Sequence, residues 1–398
     1  MSSLTLTARW VFPVAGPPLE RGCVTVDGER IAAVGPHGRR EPDVDLGNAA
    51  VLPGFVNAHT HLDLTGLRGR SPPSPDFTAW LRQVIAHRRS RSPEEVQADI
   101  REGLAECLRI GTTLVGDISS CASSWHVLAH APLRAVVFRE VLGVTEGRAA
   151  AEWQSLSLWL SVIGTTPNIR KGISPHAPYS VRSNLFSPAV WQGVPVTIHL
   201  AETAAELELL AEHRGPFVGF LQELGAWSPD GLVPNAEDVL HRTCGPNPVL
   251  YAHCNYLRPD EPIPPNGSIV YCPRTHAAFG HPPHPFRDFL ARGVRVALGT
   301  DSLASNPDLN LLEEASFLHR RYPDVPGAAV LRMATLSGAE ALGWADETGS
   351  LEPGKSADLV VLPLPDADSA DPHQLVLESA SAVARVLWRG QWRTGAVS

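Results

Sequence analysis

The chain has no Cys-x-x-Cys pair, no basic stripe threaded with aromatics, and no apolar run long enough to cross a bilayer. Its six cysteines, Cys23, Cys107, Cys121, Cys244, Cys254 and Cys272, are scattered, mostly within apolar runs. They read as structural free thiols of a reducing cytosol. The formal net charge is −9. The densest basic run, Arg88-Arg89-Ser90-Arg91, reads as a solvated helix end, so neither nucleic acid nor a membrane is expected as a partner. Met1-Ser2-Ser3-Leu4 opens into a strand-like pattern with no charged region followed by an apolar core. No signal peptide is read there, and the expected location is cytoplasmic. Also missing are Gly-x-Gly-x-x-Gly after an early strand, His-Glu-x-x-His, Gly-x-Ser-x-Gly, and His-x-Glu with Pro-Cys-x-x-Cys. Their absence disfavours a dinucleotide fold and removes support for a helix-borne protease zinc, a serine hydrolase and that second zinc signature.

What remains is an ordinary globular composition, 398 residues with 43% hydrophobic and 19% charged. That is room for one large core, or one core and a small second domain. Both ends are rich in strand patterns. Leu4–Phe12 alternates, Gly22–Val26 and Arg30–Gly35 flank an Asp27-Gly28 turn, and Ala357–Leu362 and Ala382–Trp388 close the chain. The termini are expected to meet in a small β-sandwich made of residues 1–50 and 346–398. Between them, 51–345 repeats a short apolar strand and a helical stretch. Strands are expected at 51–58, 112–117, 134–141, 169–175, 195–200, 248–253, 268–272 and 294–300, with helices such as Pro93–Leu108 and Ala204–Glu212 between several of them. Eight strands alternating with helices fit a (β/α)8 TIM barrel, of α/β class; a doubly wound sheet is the competitor.

In a barrel the chemistry belongs at the C-terminal ends of the strands, and polar residues collect there. The first expected strand runs into Asn57-Ala58-His59-Thr60-His61. Side chains two apart share a strand face, so His59 and His61 can offer two imidazoles to one metal ion. Later strands end in Arg139-Glu140, Ser174-Pro175-His176, His199-Leu200-Ala201-Glu202, His253-Cys254-Asn255, Arg274-Thr275-His276 and Thr300-Asp301-Ser302. His59, His61, His199 and Asp301 are the best ligand set for a hydrolytic metal with an open position. Such an ion lowers the pKa of a bound water towards neutrality. Asp301 can also accept a proton from that water. Glu202, three residues past His199, is the candidate general acid/base, and His253 can stabilise the developing oxyanion. His37, His87, His126, His130, His213, His241, His319 and His373 fall in helix or loop patterns and read as surface or packing residues.

Together, Leu52–His61, His199–Thr203, Leu298–Ser302 and the tail Gly349–Leu359 resemble the amidohydrolase superfamily from about residue 50 to the end. The resemblance implies a barrel carrying a sandwich built from both termini. Within the superfamily the chain looks like the mononuclear branch of aminohydrolases and chlorohydrolases. Binuclear relatives carry a bridging carboxylated lysine at the end of strand four; here that strand ends Ser174-Pro175-His176, and Lys171 sits at its start. The resemblance thus implies one divalent metal ion, usually Zn2+, sometimes Fe2+, on His59, His61, His199 and Asp301, with Glu202 as proton shuttle and His253 as helper. Ser174–Tyr179 and the Phe77–Leu81 helix look like methylthioadenosine/S-adenosylhomocysteine deaminases. Those enzymes place a ribose-binding acid soon after that helix begins, whereas here no carboxylate follows until Glu94. Asp76–Ile85, Cys272–His276 with Phe279, and His61-Leu62-Asp63 are similar to aminodeoxyfutalosine deaminases of menaquinone synthesis. Trp80, Arg139, His176 and His276 are then the expected substrate contacts. The expected reaction is hydrolytic deamination of an amino-substituted purine nucleoside or related heterocycle. Rival readings are a chlorohydrolase or a cyclic amide or imide hydrolase on the same site, and a catalytically inactive barrel that binds. Relatives are often dimers, so a homodimer is among the expectations.

Overall fold

The computed structural model describes residues 3–38, 41–162, 164, 166–191 and 193–393. Met1 and Ser2, read above for a signal peptide, and the last five residues of the C-terminal segment lie outside them.

Eight parallel strands follow one another around a barrel: Phe55–Thr60, Thr112–Ser119, Arg134–Val141, Ile169–Pro175, Val196–Leu200, Val249–His253, Gly267–Tyr271 and Val296–Leu298. The last meets the first through a bridge between Thr60 and Asp301. Thr300 and Asp301 also donate their N–H groups to the His59 carbonyl at 3.1 and 3.0 Å. A side chain at Gly299 would put its Cβ 2.8 Å from the His59 Cβ, so only glycine lets strand eight close this tightly on strand one. Helices pack outside, as in a (β/α)8 barrel. Pro93–Arg109 starts with the expected signals, a reciprocal capping box between Ser92 and Glu95 and proline in its first turn.

Side-chain alternation sorts the strands. Val56, Ala58, Val136, Phe138, Leu250, Val270 and Ala297 form one cluster inside the barrel. Val137, Val141, Val249 and Tyr251 belong to the large core between strands and helices. This parity later decides which strand-end residues face the site.

The first expected strand, 51–58, is in fact two. Ala49–Pro53 joins a terminal sheet, and Phe55–Thr60 begins the barrel. The chain changes sheets at Gly54, where any Cβ would overlap the Thr113 side chain. Leu4–Phe12 splits likewise: Leu4–Thr7 and Trp10–Val11 enter different sheets. One sheet orders Arg30–Pro36, Gly22–Asp27, Leu4–Thr7 and Val44–Asp45. The other orders Gln391–Trp392, Arg385–Trp388, Leu359–Pro363, Ala49–Pro53, Trp10–Val11 and Leu19–Glu20, so it mixes both ends of the chain. Leu6, Val24, Val26 and Ile31 of the first pack on Val51, Leu359, Val361 and Leu387 of the second. Arg134, at the foot of barrel strand three, pairs with buried Asp358 and lies over the rings of Trp344 and Trp388, tying the barrel to the C-terminal segment. All six cysteines are free.

Candidate active site

The strand-end residues converge at the C-terminal mouth. The His59 ring lies 5.1, 4.8 and 5.3 Å, centre to centre, from the rings of His61, His199 and His253. His61 Nε2 is 3.2 Å from His199 Nε2. His59 Nε2 and His61 Nε2 each stand 3.6 Å from Asp301 Oδ1. All are buried. His199 Nδ1 lies 2.9 Å from the His176 carbonyl; donating there leaves Nε2 with its lone pair towards the cluster. Ser305 Oγ donates to Asp301 Oδ2 at 2.6 Å and fixes the carboxylate.

Backbone strain aims these groups. His253 shares the parity of Val249 and Tyr251, which pack outside the barrel. Left-handed conformations at His253 (φ 68°) and Cys254 (φ 56°) turn the chain there, and the His253 ring stands 5.3 Å from that of His199. Asp301 (φ 56°) and Ala201 (φ 49°) are left-handed too. Such residues cost of order 1–3 kcal/mol each and cluster where function needs a particular aim.

The electrostatics suit a cation. Burial holds His61 and His199 well below their ordinary pKa and takes His253 down to about 3, so these imidazoles are neutral, the ligating form. Burial works to raise the Asp301 carboxyl, but the His59 ring and its histidine neighbours outweigh it and hold Asp301 below its usual range. Both ring nitrogens of His59, Nδ1 of His61 and Nε2 of His253 are buried without a hydrogen-bond partner. Among the described residues, ligand atoms converge in two overlapping groups, His59–His61–Asp301 and His59–His199–His253. One metal ion can take a single nitrogen from each of several of these rings together with the Asp301 carboxylate, so the donor set fits the expected cofactor.

Glu202 is buried in the cavity wall, its Oε1 3.6 Å from His253 Nε2. Burial above all, then the nearby Asp301 and Glu206, pushes its carboxyl well above the ordinary value. A carboxyl shifted in that direction holds its proton more readily than a free glutamate and can still pass it on. Its backbone is held by Glu206, whose carboxylate accepts from the N–H groups of Ala201 and Glu202, both at 2.9 Å. Glu206 is fully buried and stands in Thr203-x-x-Glu206, a helix-start signature that marks it in the sequence. Glu206→Ala leaves two buried donors unpaired, each costing about 1–3 kcal/mol. Steady-state kinetics are expected to show kcat lowered by up to about 10²-fold through misplacement of Glu202, with KM little changed. Glu206→Gln should recover part of the rate.

A cavity of about 210 Å³ opens over the cluster, walled by Phe77, Trp80, Val84, Leu142, Val144 and Phe220 among others. Of the four expected substrate contacts, Trp80 and His176 line it. Trp80 anchors its indole N–H on the Ser71 carbonyl at 3.1 Å and leans edge-on against Phe279. Arg139 and His276 are not brought there. Arg139 points outward to Glu152 and Ser155 on the helix Glu146–Val162, as its parity dictates. His276 packs against Tyr271, His281 and His284 and meets the Pro282 carbonyl at 2.9 Å. The basic run also departs from expectation: Arg89 is exposed, but Arg88 turns into the cavity wall, 2.8 Å from Glu140 and 3.4 Å from Asp63. Sequence reading passes over His284, whose Nε2 holds the His253 carbonyl at 2.6 Å from a loop that carries no strand-end signal.

A closed barrel with a buried imidazole–carboxylate cluster at its C-terminal mouth, fit for one metal ion, defines the class of metal-dependent barrel hydrolases. Comparison with known proteins gives the family. The amidohydrolase family profile matches residues 50–393, and the chain belongs to that family. A 5-methylthioadenosine/S-adenosylhomocysteine deaminase of Moorella thermoacetica is 29% identical over 91% of this chain and 85% of its own. An aminodeoxyfutalosine deaminase of Deinococcus radiodurans is 30% identical over 85% of each. Among solved structures, an adenosine deaminase of Xanthomonas campestris with bound zinc is 26% identical and superposes with a TM-score of 0.75 over 98% of this chain and 92% of its own. Among the described residues, no helix is long and apolar enough to cross a membrane.

Proposed function

We propose that the protein is a metal-dependent hydrolytic deaminase of an amino-substituted purine nucleoside or related heterocycle, aminodeoxyfutalosine among the candidates, and that it releases ammonia. The observation that carries this reading is Glu202, a buried carboxyl 3.6 Å from His253 and beside the His59–His61–His199–Asp301 cluster in a mainly apolar cavity, with its proton affinity raised by burial. The deaminase names of the two relatives agree with it. His59, His61, His199 and Asp301 would hold one divalent ion, zinc as in the Xanthomonas structure, with iron the alternative. When bound, such an ion makes hydroxide available at neutral pH.

Water then adds across the C=N bond bearing the amine, its oxygen to carbon and the proton of Glu202 to the ring nitrogen. Asp301, held ionised, takes the first proton the water loses and returns it to the amine; as the C–N bond breaks and ammonia leaves, the remaining hydroxyl proton passes to Glu202 while the C=O forms, which restores the acid. His253 steadies the charge that develops on oxygen. Trp80 and His176 wall the ring, and the apolar lining keeps bulk water out. On the same reading the protein works in the cytoplasm as a homodimer, with the barrel spanning 51–345 and the sandwich shared by 1–50 and 346–398.

The test is an ammonia-release screen over adenosine, methylthioadenosine, S-adenosylhomocysteine, aminodeoxyfutalosine, guanine and pterins, with chloride release and cyclic-amide opening followed in parallel. At least one purine nucleoside is expected to give kcat/KM of about 10⁴ M⁻¹s⁻¹ or more. Chloride release or ring opening without ammonia overturns the reading, as does a metal-loaded protein that turns over nothing.

A further inference from the structure

Glu140 ends barrel strand three on the inward parity of Val136 and Phe138, and it lines the cavity. Its side chain is only 2% exposed. Oε2 is held by Arg88 Nη1 at 2.8 Å, and Arg88 is steadied from its other side by Asp63. Oε1 is buried with no hydrogen-bond partner. The group facing it is His176 Nε2, at 3.9 Å, too far for a hydrogen bond. His176 cannot supply a proton there in any case. The Ser180 hydroxyl gives its hydrogen to the Ala177 carbonyl at 3.1 Å, so at 2.9 Å it accepts from His176 Nδ1–H. That leaves Nε2 as a bare acceptor. Two acceptors thus face one gap in the wall of a mainly apolar cavity, each lacking a donor. The charges around the gap, one arginine against Asp63 and Glu140, sum to negative, which disfavours a phosphate or carboxylate there. A neutral group with adjacent hydroxyls fits.

We infer that Glu140, presented by Arg88 and paired with His176, accepts hydrogen bonds from the sugar hydroxyls of the substrate, and so selects an intact ribonucleoside. The inference rests on the deaminase reading and names its substrate class. It also supplies the ribose acid that the helix Phe77–Ser90 lacks, from a different element of the barrel.

The experiment compares adenosine and 5′-methylthioadenosine with their 2′-deoxy and 3′-deoxy forms, in wild type and Glu140→Gln. With wild type, at least one deoxy form of each is expected to lose about 10–100-fold in kcat/KM, the range of a hydrogen bond to a charged group. Glu140→Gln should lose a similar factor on the full ribose and almost nothing further on that deoxy form. Should the glutamine variant not fold, Glu140→Asp keeps the charge but draws the oxygens back, and the same selective loss is expected. Equal loss on all forms, or a wild type indifferent to both deoxy changes, overturns the inference and leaves the deaminase reading standing. A wild type that deaminates no nucleoside at all overturns both.

Discussion

Glu202→Gln is expected to lower kcat by about 10²–10⁴-fold, the usual worth of a positioned general acid, while metal content stays at one ion per chain. The amide has the shape of the neutral carboxyl but cannot give up a proton. The amide should also be tolerated structurally, because its backbone anchors are not its own side chain: Glu206 holds its N–H, and Asn255 Nδ2 donates to its carbonyl at 3.0 Å. Stability gives a second readout. The folded carboxyl titrates well above its ordinary value, so between the unfolded and folded pKa the native state binds more protons than the unfolded one. In chelated wild type, stability should therefore fall as pH rises through that window, and chelated Glu202→Gln should lack that part of the decline. Denaturant titrations across pH measure the difference. A variant with near-normal kcat removes Glu202 from the chemistry.

The imidazole–carboxylate cluster at the barrel mouth was legible because two signals coincide in it. His59, His61, His199, His253 and Asp301 are residue types that ligate or move protons, and each lies where a strand pattern stops. The cavity wall offered no such agreement. Barrel strand three, Arg134–Val141, is buried along its whole length, so Val136, Val137, Phe138 and Val141 show no alternation from which to tell inside from outside. Without that parity Arg139 and Glu140 cannot be sorted, and a shift of one residue exchanges the helix-facing side chain for the cavity-facing one. Arg88 was readable in principle. Phe77, Trp80, Val84 and Arg88 recur at helical spacing on the buried face of Phe77–Ser90, but a charge at the end of a basic run reads as solvated until a partner across the barrel is known. The change of sheet at Gly54 is marked by Pro53-Gly54, a turn signal that reading 51–58 as one strand passes over because apolar residues stand on both sides of it.

Removing the ion should unfold the chain more easily as well as silence it. The cluster carries imidazole nitrogens with no partner of their own and a carboxylate held in place by Ser305, so a cation there stabilises only the folded state. With free metal at 100–1,000 times its Kd, that linkage is worth about 2.7–4.1 kcal/mol, which corresponds to a Tm drop of several degrees on chelation for a chain of this size. Turnover should vanish with the metal and return with added zinc. His199→Ala isolates the cause. Its ring is oriented by the His176 carbonyl, and its Nε2 closes on that of His61, so the variant loses one of the expected donors. It is expected to purify with little metal and to show the lowered Tm from the start, with chelator moving it no further. Elemental analysis and thermal unfolding with and without chelator read both. A His199→Ala protein that keeps one ion per chain and its chelation shift would take His199 out of the ligand set and leave the ion to the remaining group, His59, His61 and Asp301.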